Sequence, residues 1–311
     1  MKVTVFTPSY NRIHTIDRVY KSLKSQSFKE FEWVVVDDGS TDDTESLVNK
    51  WITEGELDIK YIRQENKGKF KTLVDTVKDV NGEWFLIADS DDEFESNTIE
   101  TFLMVYESLP DDIKSTIAGV SCLVKDSNTH EIVGDIFPIP NGERYLLSNG
   151  NEVSYKLGIK GEKWGILKTS VLKEFIAKLP SIEETKYISE SALWSPIATK
   201  YKTAYINIPL RIYYQGTSDT LSSRNIAGRY PLGAWISERE ILPCVYKYFW
   251  NQAKLITLSA VKLNYAAVLS KKSLRQTIQG FPLGLKLLTI LAYPLGLIAV
   301  LKYPRNNVDQ N

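Results

Sequence analysis

Three carboxylates fall within four positions of this 311-residue sequence, at Asp89, Asp91 and Asp92. Charges this close repel one another and are costly to hold together unless a cation neutralises them. Mg²⁺ or Mn²⁺ suits such a group, because hard cations prefer carboxylate oxygens and are often shared with substrate phosphates. The alternative is a solvated acidic turn, with Asp92 or Asn97 as an ordinary helix cap.

Two other polar clusters have the residue types to contact a nucleotide. In residues 37–42, Gly39 permits a tight turn, and Asp38 could accept a hydrogen bond from a base N–H or a ribose hydroxyl. In residues 8–12, Arg12 could meet a diphosphate and Tyr10 could flank a base. Taken singly, each cluster is better explained by a loop or by a strand-to-helix joint with a capping side chain.

The elements around these clusters alternate between strand and helix. Apolar runs predict strands over residues 2–7, 33–36, 58–62 and 84–88, and apolar residues at helical spacing predict a helix after each strand. This alternation predicts an α/β fold with a doubly wound, parallel sheet and helices on both faces. Ligands of such sheets bind at the carboxyl ends of the strands. All three polar clusters fall at those ends, which favours a single composite binding site.

The rest of the chain changes character twice. Residues 115–215 are mixed, with strands predicted over 117–124 and 211–214 and helices over 170–179 and 190–201. After about residue 225, aromatic and aliphatic residues predominate and indicate a separate helical region. We therefore predict a first domain over 1–215, with a ligand-binding half (1–110) and a second half (111–215), and a helical region over 216–311.

Taken together, the ordered motifs resemble those of the inverting family 2 glycosyltransferases. Those enzymes have the A-type glycosyltransferase fold, a Rossmann-like, mostly parallel central sheet with flanking helices. The resemblance is specific over about residues 1–110 and weaker over 111–215. The segments that carry it are Pro8-Ser9-Tyr10-Asn11, Ser25-Gln26-Ser27-Phe28, the run 35–42, Asn66-Lys67-Gly68 and Asp89-Ser90-Asp91.

The resemblance implies a UDP-sugar donor and a role for each matching residue. Asp38 would pair with the uracil edge, Asp89 would meet the ribose or the sugar, and Asp91 would ligate the Mn²⁺ or Mg²⁺ that bridges the diphosphate. The acceptor half would correspond to 111–215. The other residues that the resemblance places around the donor are Thr7, Pro8, Tyr10, Arg12, Asn66, Gly68 and Ser90.

An inverting transfer also needs a general base for the acceptor hydroxyl. In the family, a carboxylate near the start of a later helix has this role, and Glu190 is the candidate here. The family pattern is Glu-Asp, whereas Ser191 follows Glu190. A first-turn acidic residue that interacts with the helix dipole is the alternative. Glu183 and Glu184 are the reserve candidates. Some relatives carry a third metal ligand, a His near the end of the domain, but no His follows His130 here.

Composition excludes several other classes. Lys+Arg and Asp+Glu are both 38, so the basic excess of a nucleic-acid-binding protein is absent. Two distant cysteines, Cys122 and Cys244, indicate neither a disulfide framework nor a zinc site. Two histidines rule out a multi-histidine metal site. The first residues lack the apolar run of a signal peptide, so we expect a cytoplasmic protein.

Residues 281–301 are almost wholly apolar and are long enough to cross a bilayer. Three readings stay open: a spanning helix, a buried pair of core helices, and a helix lying in the membrane interface. We favour membrane association at the inner face of the cell membrane, where a polyprenyl-linked glycan acceptor of surface polysaccharide synthesis would give it a purpose. The basic residues suited to anionic lipid are Lys262, Lys271, Lys272, Arg275, Lys286, Lys302 and Arg305.

Two rival functions predict different sequence features. A nucleotidyltransferase would be expected to show a Gly-rich, Lys-containing signature after its first strand, and residues 8–12 are not one. A nucleotide-binding or membrane scaffold protein that kept the fold but lost transferase activity is the second rival. The intact Asp38, Asp89 and Asp91 argue against it.

Overall fold

The apolar runs of the first hundred residues form the parallel half of a mixed sheet. β1 (Val3–Ser9) lies between β2 (Phe31–Asp37) and β4 (Trp84–Ile87), and β3 (Ile59–Arg63) pairs with β2, all in parallel. The computed structural model describes residues 2–182, 184–214 and 226–303. The predicted α/β fold is confirmed.

The predicted helices of this half follow their strands and cover the sheet. They are α1 (Ile16–Lys24), α2 (Thr44–Glu54), α3 (Lys69–Asp79) and α4 (Thr98–Glu107). In one part of the core, the rings of Tyr20, Trp33 and Trp51 stack on one another, with 4.3 Å between the ring centres of Tyr20 and Trp51. Such aromatic packing contributes about 0.5–1.5 kcal/mol per pair beyond the buried area. It fixes α1 and α2 against β2.

The second half of the sheet mixes strand directions. Its strands are β5 (Glu93–Phe94), β6 (Ile117–Asp126), β7 (Leu146–Ser148), β8 (Trp164–Lys168) and β9 (Lys202–Tyr213). In the order β3-β2-β1-β4-β8-β6-β9-β5, β8 is antiparallel to both of its neighbours. β7 and β5 also pair with β9 in antiparallel fashion. The predicted strand at 211–214 is the end of the much longer β9.

Contacts group the described residues into two compact units. The first contains the sheet and falls within Met1–Asn149, Ile159–Ala177 and Lys200–Thr217; the second falls within Gly150–Gly158, Lys178–Thr199 and Ser218–Asn311. Segments 150–158 and 178–199, which we had assigned to the acceptor half, thus group with the C-terminal helices. The proposed boundary at 215/216 lies outside the described residues.

The three longest of the remaining helices lie in the second unit. They are α5 (Asp111–Lys114), α6 (Thr169–Ile176), α7 (Ser191–Lys200), α8 (Ile226–Arg229), α9 (Pro231–Val245), α10 (Ala253–Leu269), α11 (Leu274–Ile278) and α12 (Leu283–Lys302). A π-helical turn (Glu152–Lys156) and a 3₁₀ turn (Tyr246–Tyr248) complete the assignment. The C-terminal helical region predicted from composition is therefore present.

Candidate functional site

The carboxylate of Asp38 holds the loop that follows β3. Asp38 is buried directly after β2, and its Oδ1 accepts hydrogen bonds of 2.8 Å from Gln64 Nε2 and from the backbone N–H of Lys67. Its Oδ2 accepts one of 2.8 Å from the backbone N–H of Gly68, the residue that precedes α3. The predicted site residues Asn66 and Gly68 are thereby fixed beside Asp38. A carboxylate has about four acceptor positions, so Asp38 keeps capacity for a further donor.

Gly39 makes this close approach feasible. Its φ of +86° favours glycine, and a Cβ there would lie 3.1 Å from the backbone nitrogen of Asn66. We expect Gly39→Ala to lower stability by about 1–2 kcal/mol through its positive φ alone, and also to raise the KM for the donor by displacing the 64–68 loop.

Gly55→Ala is the matched control. Gly55 has a φ of +69° at the end of α2, but a Cβ there would meet nothing within 4 Å. Thermal unfolding and donor kinetics of the two variants separate the effect of a positive φ, which both glycines have, from the effect of close contact with Asn66, which only Gly39 has. An unchanged KM in Gly39→Ala would reject the role of the loop in donor binding.

The loop after β1 is bonded to the turn after β2. Asn11 has a φ of +53°, a conformation that Asn tolerates better than most residues. Its backbone N–H donates to Ser40 Oγ at 2.9 Å, and its Oδ1 accepts from the N–H of Thr41 at 2.8 Å. Two of the three polar clusters thus form one continuous surface.

The other predicted residues of the first loop differ in exposure. Thr7 is fully buried, and its hydroxyl accepts a hydrogen bond of 2.9 Å from Trp33 Nε1. Pro8 and Arg12 are half-buried, whereas Tyr10 is 49% exposed. Tyr10 therefore has the free ring surface that stacking on a base requires, and Thr7 contributes by holding β1 and β2 in place. Their contacts with a donor stay predictions.

The acidic turn after β4 is neutralised mainly by two cationic side chains of the chain itself. Lys69, the first residue of α3, lies 2.7 Å from Asp89 Oδ1. Arg211 of β9 lies 2.6 Å from Asp92 Oδ1 and 3.7 Å from Asp89 Oδ2. The backbone N–H of Asp89 also donates to Asp92 Oδ2 at 3.1 Å. Mutual repulsion within this turn therefore does not by itself require a metal ion.

The charges around Asp89 set its protonation. Burial alone would raise the pKa of Asp89, but Lys69 and Arg211, with a smaller contribution from Arg12, outweigh it and hold the pKa below its ordinary value. Asp89 is thus ionised at neutral pH. Ser90, which was also predicted to belong to the site, is buried beside it.

Sequence reasoning missed Arg211. Its side chain is buried and bridges Asp92 to Glu162, whose Oε1 lies 3.2 Å from the Arg211 Nη1. Burial alone would lower the pKa of Arg211, but Asp92, Glu162 and Asp89 together raise it above its ordinary value. The one available signal was a charge inside the otherwise apolar run 208–214. Glu162 lies two residues before β8.

Asp91 differs from its acidic neighbours. It is half-buried, and its carboxylate forms no ion pair within the described part of the chain. Its backbone oxygen accepts a hydrogen bond of 3.3 Å from Arg18 Nη1, so the turn itself is held in place.

No group of three His, Cys, Asp or Glu side chains that could hold a metal ion occurs among residues 2–182, 184–214 and 226–303. The residues present fit a cation that takes one carboxylate from the protein and the rest of its ligands from phosphate oxygens and water, as Mg²⁺ commonly does.

Glu190 lies in the second unit, immediately before α7. Its backbone oxygen accepts hydrogen bonds from the N–H groups of Leu193 and Trp194, which makes it the residue that opens the helix. This is the predicted position near the start of a later helix, and the role of Glu190 as base stays a prediction. Of the reserve candidates, Glu184 is exposed and Glu183 lies outside the described residues.

A family model matches the first half of the chain. The model of the family described as "Glycosyl transferase family 2" matches residues 4–160, which contain all three polar clusters. A curated relative, GalNAc(5)-diNAcBac-PP-undecaprenol beta-1,3-glucosyltransferase of Campylobacter jejuni, is 28% identical over 240 residues, which are 75% of this chain and 71% of that protein. The poly(ribitol-phosphate) beta-N-acetylglucosaminyltransferase TarS of Staphylococcus aureus is 36% identical over 102 residues, only 18% of its length.

Solved structures agree in fold. The crystal structure of TarS 1–349 in complex with UDP-GlcNAc superimposes with a TM-score of 0.62 at 20% identity, over 99% of this chain and 95% of that one. The mannosyltransferase PcManGT from Pyrobaculum calidifontis, in complex with GDP-Man and Mn²⁺, gives a TM-score of 0.50 at 19% identity, over 95% and 80% of the two chains. Identities this low establish the fold and not the ligands.

Proposed function

The chain belongs to glycosyl transferase family 2, and from this premise we propose that it moves a sugar from a UDP-sugar, with inversion, to a hydroxyl of a glycan or polyprenyl-linked glycan. The observation that carries the proposal is the grouping of three loops at the carboxyl ends of β1, β2 and β4. Asn11 joins the first loop to the second, and Lys69, which follows the Gly68 bonded to Asp38, pairs with Asp89 of the third. There Asp38 retains acceptor capacity, and Asp91 is an ionisable group without an ion pair in the described chain.

The donor class is supported by relatives of the same fold. TarS was crystallised with UDP-GlcNAc, and PcManGT with GDP-Man and Mn²⁺. The Campylobacter jejuni relative is named for an undecaprenol-linked acceptor. We propose by analogy that this chain extends a lipid-linked glycan in surface polysaccharide synthesis, at the cytoplasmic face of the membrane.

Individual residues of the chain would have different roles in the transfer. Asp38 would accept the uracil N–H, and the cation of Arg12 would face the diphosphate. Asp91 would hold Mn²⁺ or Mg²⁺, which when bound offsets the charge that develops on the departing nucleoside diphosphate. Lys69 and Arg211 would keep Asp89 ionised and the turn in its conformation. Glu190 would take the proton of the acceptor hydroxyl.

Binding and turnover with a panel of nucleotide sugars test this proposal. We expect UDP-sugars to bind in the presence of Mn²⁺ and to be hydrolysed slowly or transferred to a polyprenyl diphosphate-linked saccharide, whereas GDP-mannose is not used. Use of GDP-mannose alone, or binding of no UDP-sugar, would overturn the donor assignment. Binding without any turnover would instead favour the scaffold alternative.

Replacing the candidate base tests the acceptor half of the mechanism. We expect Glu190→Gln to lower kcat by at least about 100-fold, because a general base contributes roughly 10²–10⁴-fold, with little change in the dissociation constant for the donor. The exposed Glu184→Gln is the matched control and should retain activity. If Glu184→Gln loses activity and Glu190→Gln does not, the assignment of the base is wrong.

A further inference from the structure

We propose that the C-terminal helices dock on the surface of an anionic lipid bilayer, with α12 lying in the plane of the membrane and not crossing it. The inference deepens the proposed function, on which it rests for its purpose, since a polyprenyl-linked acceptor is held at such a surface. Three observations within the second unit carry it.

The first is a charge asymmetry in a chain whose net charge is zero. Residues 241–308 contain nine Lys or Arg and no Asp or Glu. The remainder of the chain therefore carries the excess of carboxylates. A basic residue near an anionic leaflet contributes about 1 kcal/mol to binding, so this segment is the part of the protein that such a surface attracts. The rest of the chain, which carries more carboxylates than basic residues, is repelled by the same anionic surface.

The second is the exposed face of α12. The helix has a mean hydropathy of 2.0 over its most apolar 18-residue window, yet only 22% of that window is buried. The exposed residues recur at helical spacing along its whole length and form what we term the leucine face: Leu283, Leu287, Ile290, Leu291, Leu295, Ile298 and Leu301. Leu291 is 76% exposed and Leu301 is 85% exposed. An apolar surface this long is unusual on a soluble protein and indicates a binding surface.

The third is the opposite face of the same helix, which is packed against α10. A Cβ on Gly296 would lie 2.6 Å from Asn264 Cβ, so the two helices touch closely. Asn264, which is fully buried, donates through Nδ2 to the backbone oxygen of Thr289 at 2.8 Å. Tyr265 of α10 also donates to the backbone oxygen of Tyr303, just beyond α12. The contact with α10 thus runs along most of the helix.

This packing distinguishes a helix that lies in the membrane surface from one that crosses the bilayer. A spanning helix would have to separate from α10 or carry α10 into the bilayer. Separation would break the hydrogen bond from Asn264 to Thr289 and uncover apolar residues of α10, such as Ala260 and Leu263, that are buried in the same cluster as residues of α12. Insertion of both helices would bury Lys254 and Lys262, and Lys262 is paired with Glu238 of α9 at 2.7 Å. A helix in the interface keeps all these contacts and buries only the leucine face.

Two exposed aromatic residues support the same orientation. Trp250 lies just before α10 and is 91% exposed. Tyr303 at the end of α12 is 52% exposed. Trp and Tyr are enriched at the level of the lipid headgroups, where an apolar ring and a polar group can both be satisfied.

Vesicle binding of the full chain tests the surface. We expect sedimentation with vesicles of phosphatidylcholine containing phosphatidylglycerol, and much weaker binding to pure phosphatidylcholine or at high salt. Leu291→Gln combined with Leu301→Gln should weaken binding at least tenfold. Met104→Gln combined with Ile136→Gln is the matched control, because these two residues are also largely exposed apolar residues but belong to the first unit. No binding by the wild type, or equal loss in both double variants, would overturn the proposal.

Labelling the two ends of α12 tests the orientation. Gln279→Cys, which lies just before α12 and outside the leucine face, and Tyr303→Cys are made separately, expressed, and treated with an impermeant maleimide in sealed vesicles whose cytoplasmic face points outward. We expect both positions to react above the background of the two native cysteines, because both ends lie on one side. Reaction at one end only, with the other reacting after the vesicles are opened, would show a spanning helix and overturn the proposal.

Activity separates this inference from the proposed function. Hydrolysis of the UDP-sugar in solution should be retained in the Leu291→Gln/Leu301→Gln variant, and transfer to a membrane-bound acceptor should fall with its vesicle binding. Vesicle binding by a wild type that uses no nucleotide sugar would reject the proposed function and leave this inference standing. Transfer to the acceptor by a wild type that does not bind vesicles would reject this inference and leave the proposed function standing.

Discussion

Asp91→Asn is expected to reduce sugar transfer on the order of 1000-fold while leaving stability almost unchanged. A Lewis-acidic cation stabilises the departing diphosphate by several kcal/mol, and about 4 kcal/mol corresponds to a factor of roughly 1000. The carboxylate of Asp91 has no ion pair within the described residues, so its replacement breaks no internal contact of that kind. A surface change of this type usually shifts the free energy of unfolding by no more than about 0.5 kcal/mol.

The measurement is the initial rate of transfer as a function of Mn²⁺ concentration, together with thermal unfolding. Asp112→Asn is the matched control, because Asp112 is exposed and lies far along the chain from the acidic turn. The variant should need much more Mn²⁺ than the wild type, and the control should behave as the wild type does. Equal turnover by Asp91→Asn and the wild type would reject Asp91 as the metal ligand.

The first half of the fold was predictable because its signals are local. A continuous apolar run such as 33–36 is typical of a strand buried on both faces, and β2 contains it. The polar turns follow directly, so the chain itself places Asp38 and Asp89 at strand ends. Asp38 was assigned to the ligand, and the structure adds that it also bonds the 64–68 loop. That second role depends on a contact 29 residues away in the sequence.

The second half was less predictable because its signals depend on tertiary contacts. β8 contains Gly165, which weakens a strand pattern, yet a Cβ there would lie 1.9 Å from the backbone oxygen of Val120. The glycine is thus required by the close approach of β6. Arg211 is 119 positions from its partner Asp92, so no spacing rule connects them. The sequence therefore predicted three clustered carboxylates without the cation that neutralises two of them.

The mode of membrane contact also depends on tertiary contacts, and the sequence alone could not predict it. Composition identified residues 281–301 as apolar, but it could not distinguish a spanning helix from one with a single free face. The distinction comes from Asn264 and Gly296, whose contact covers the other face of α12.

Arg211→Met is expected to lower the free energy of unfolding by about 3–5 kcal/mol, the usual result of removing one partner from a buried ion pair. The methionine keeps most of the volume of the side chain, so packing against Trp164 and Tyr213 is largely preserved. Asp92, which is almost fully buried, would lose the counter-charge 2.6 Å away. Lys21→Met is the control: it removes the exposed ion pair with Asp17 on α1 and should change stability by less than about 1 kcal/mol.

The pH dependence identifies the cause of the loss. Burial raises the pKa of Asp92 well above its ordinary value even though Arg211 lowers it. Without Arg211 the pKa rises further. The folded variant then binds a proton that the unfolded chain has released, so stability falls as pH rises between the two pKa values and recovers as pH is lowered. Urea unfolding at pH 5 and pH 7 should therefore show a smaller deficit at pH 5.

A second substitution completes the test. Adding Asp92→Asn to Arg211→Met removes the buried charge while keeping an acceptor for the backbone N–H of Asp89. We expect the double variant to be more stable than Arg211→Met by at least about 1 kcal/mol, a coupling within the range for residues in direct contact. Additive losses, with no dependence on pH, would mean that the lost stability does not come from leaving the charge of Asp92 without its partner. In that case the acidic turn would not depend on Arg211 for its neutralisation.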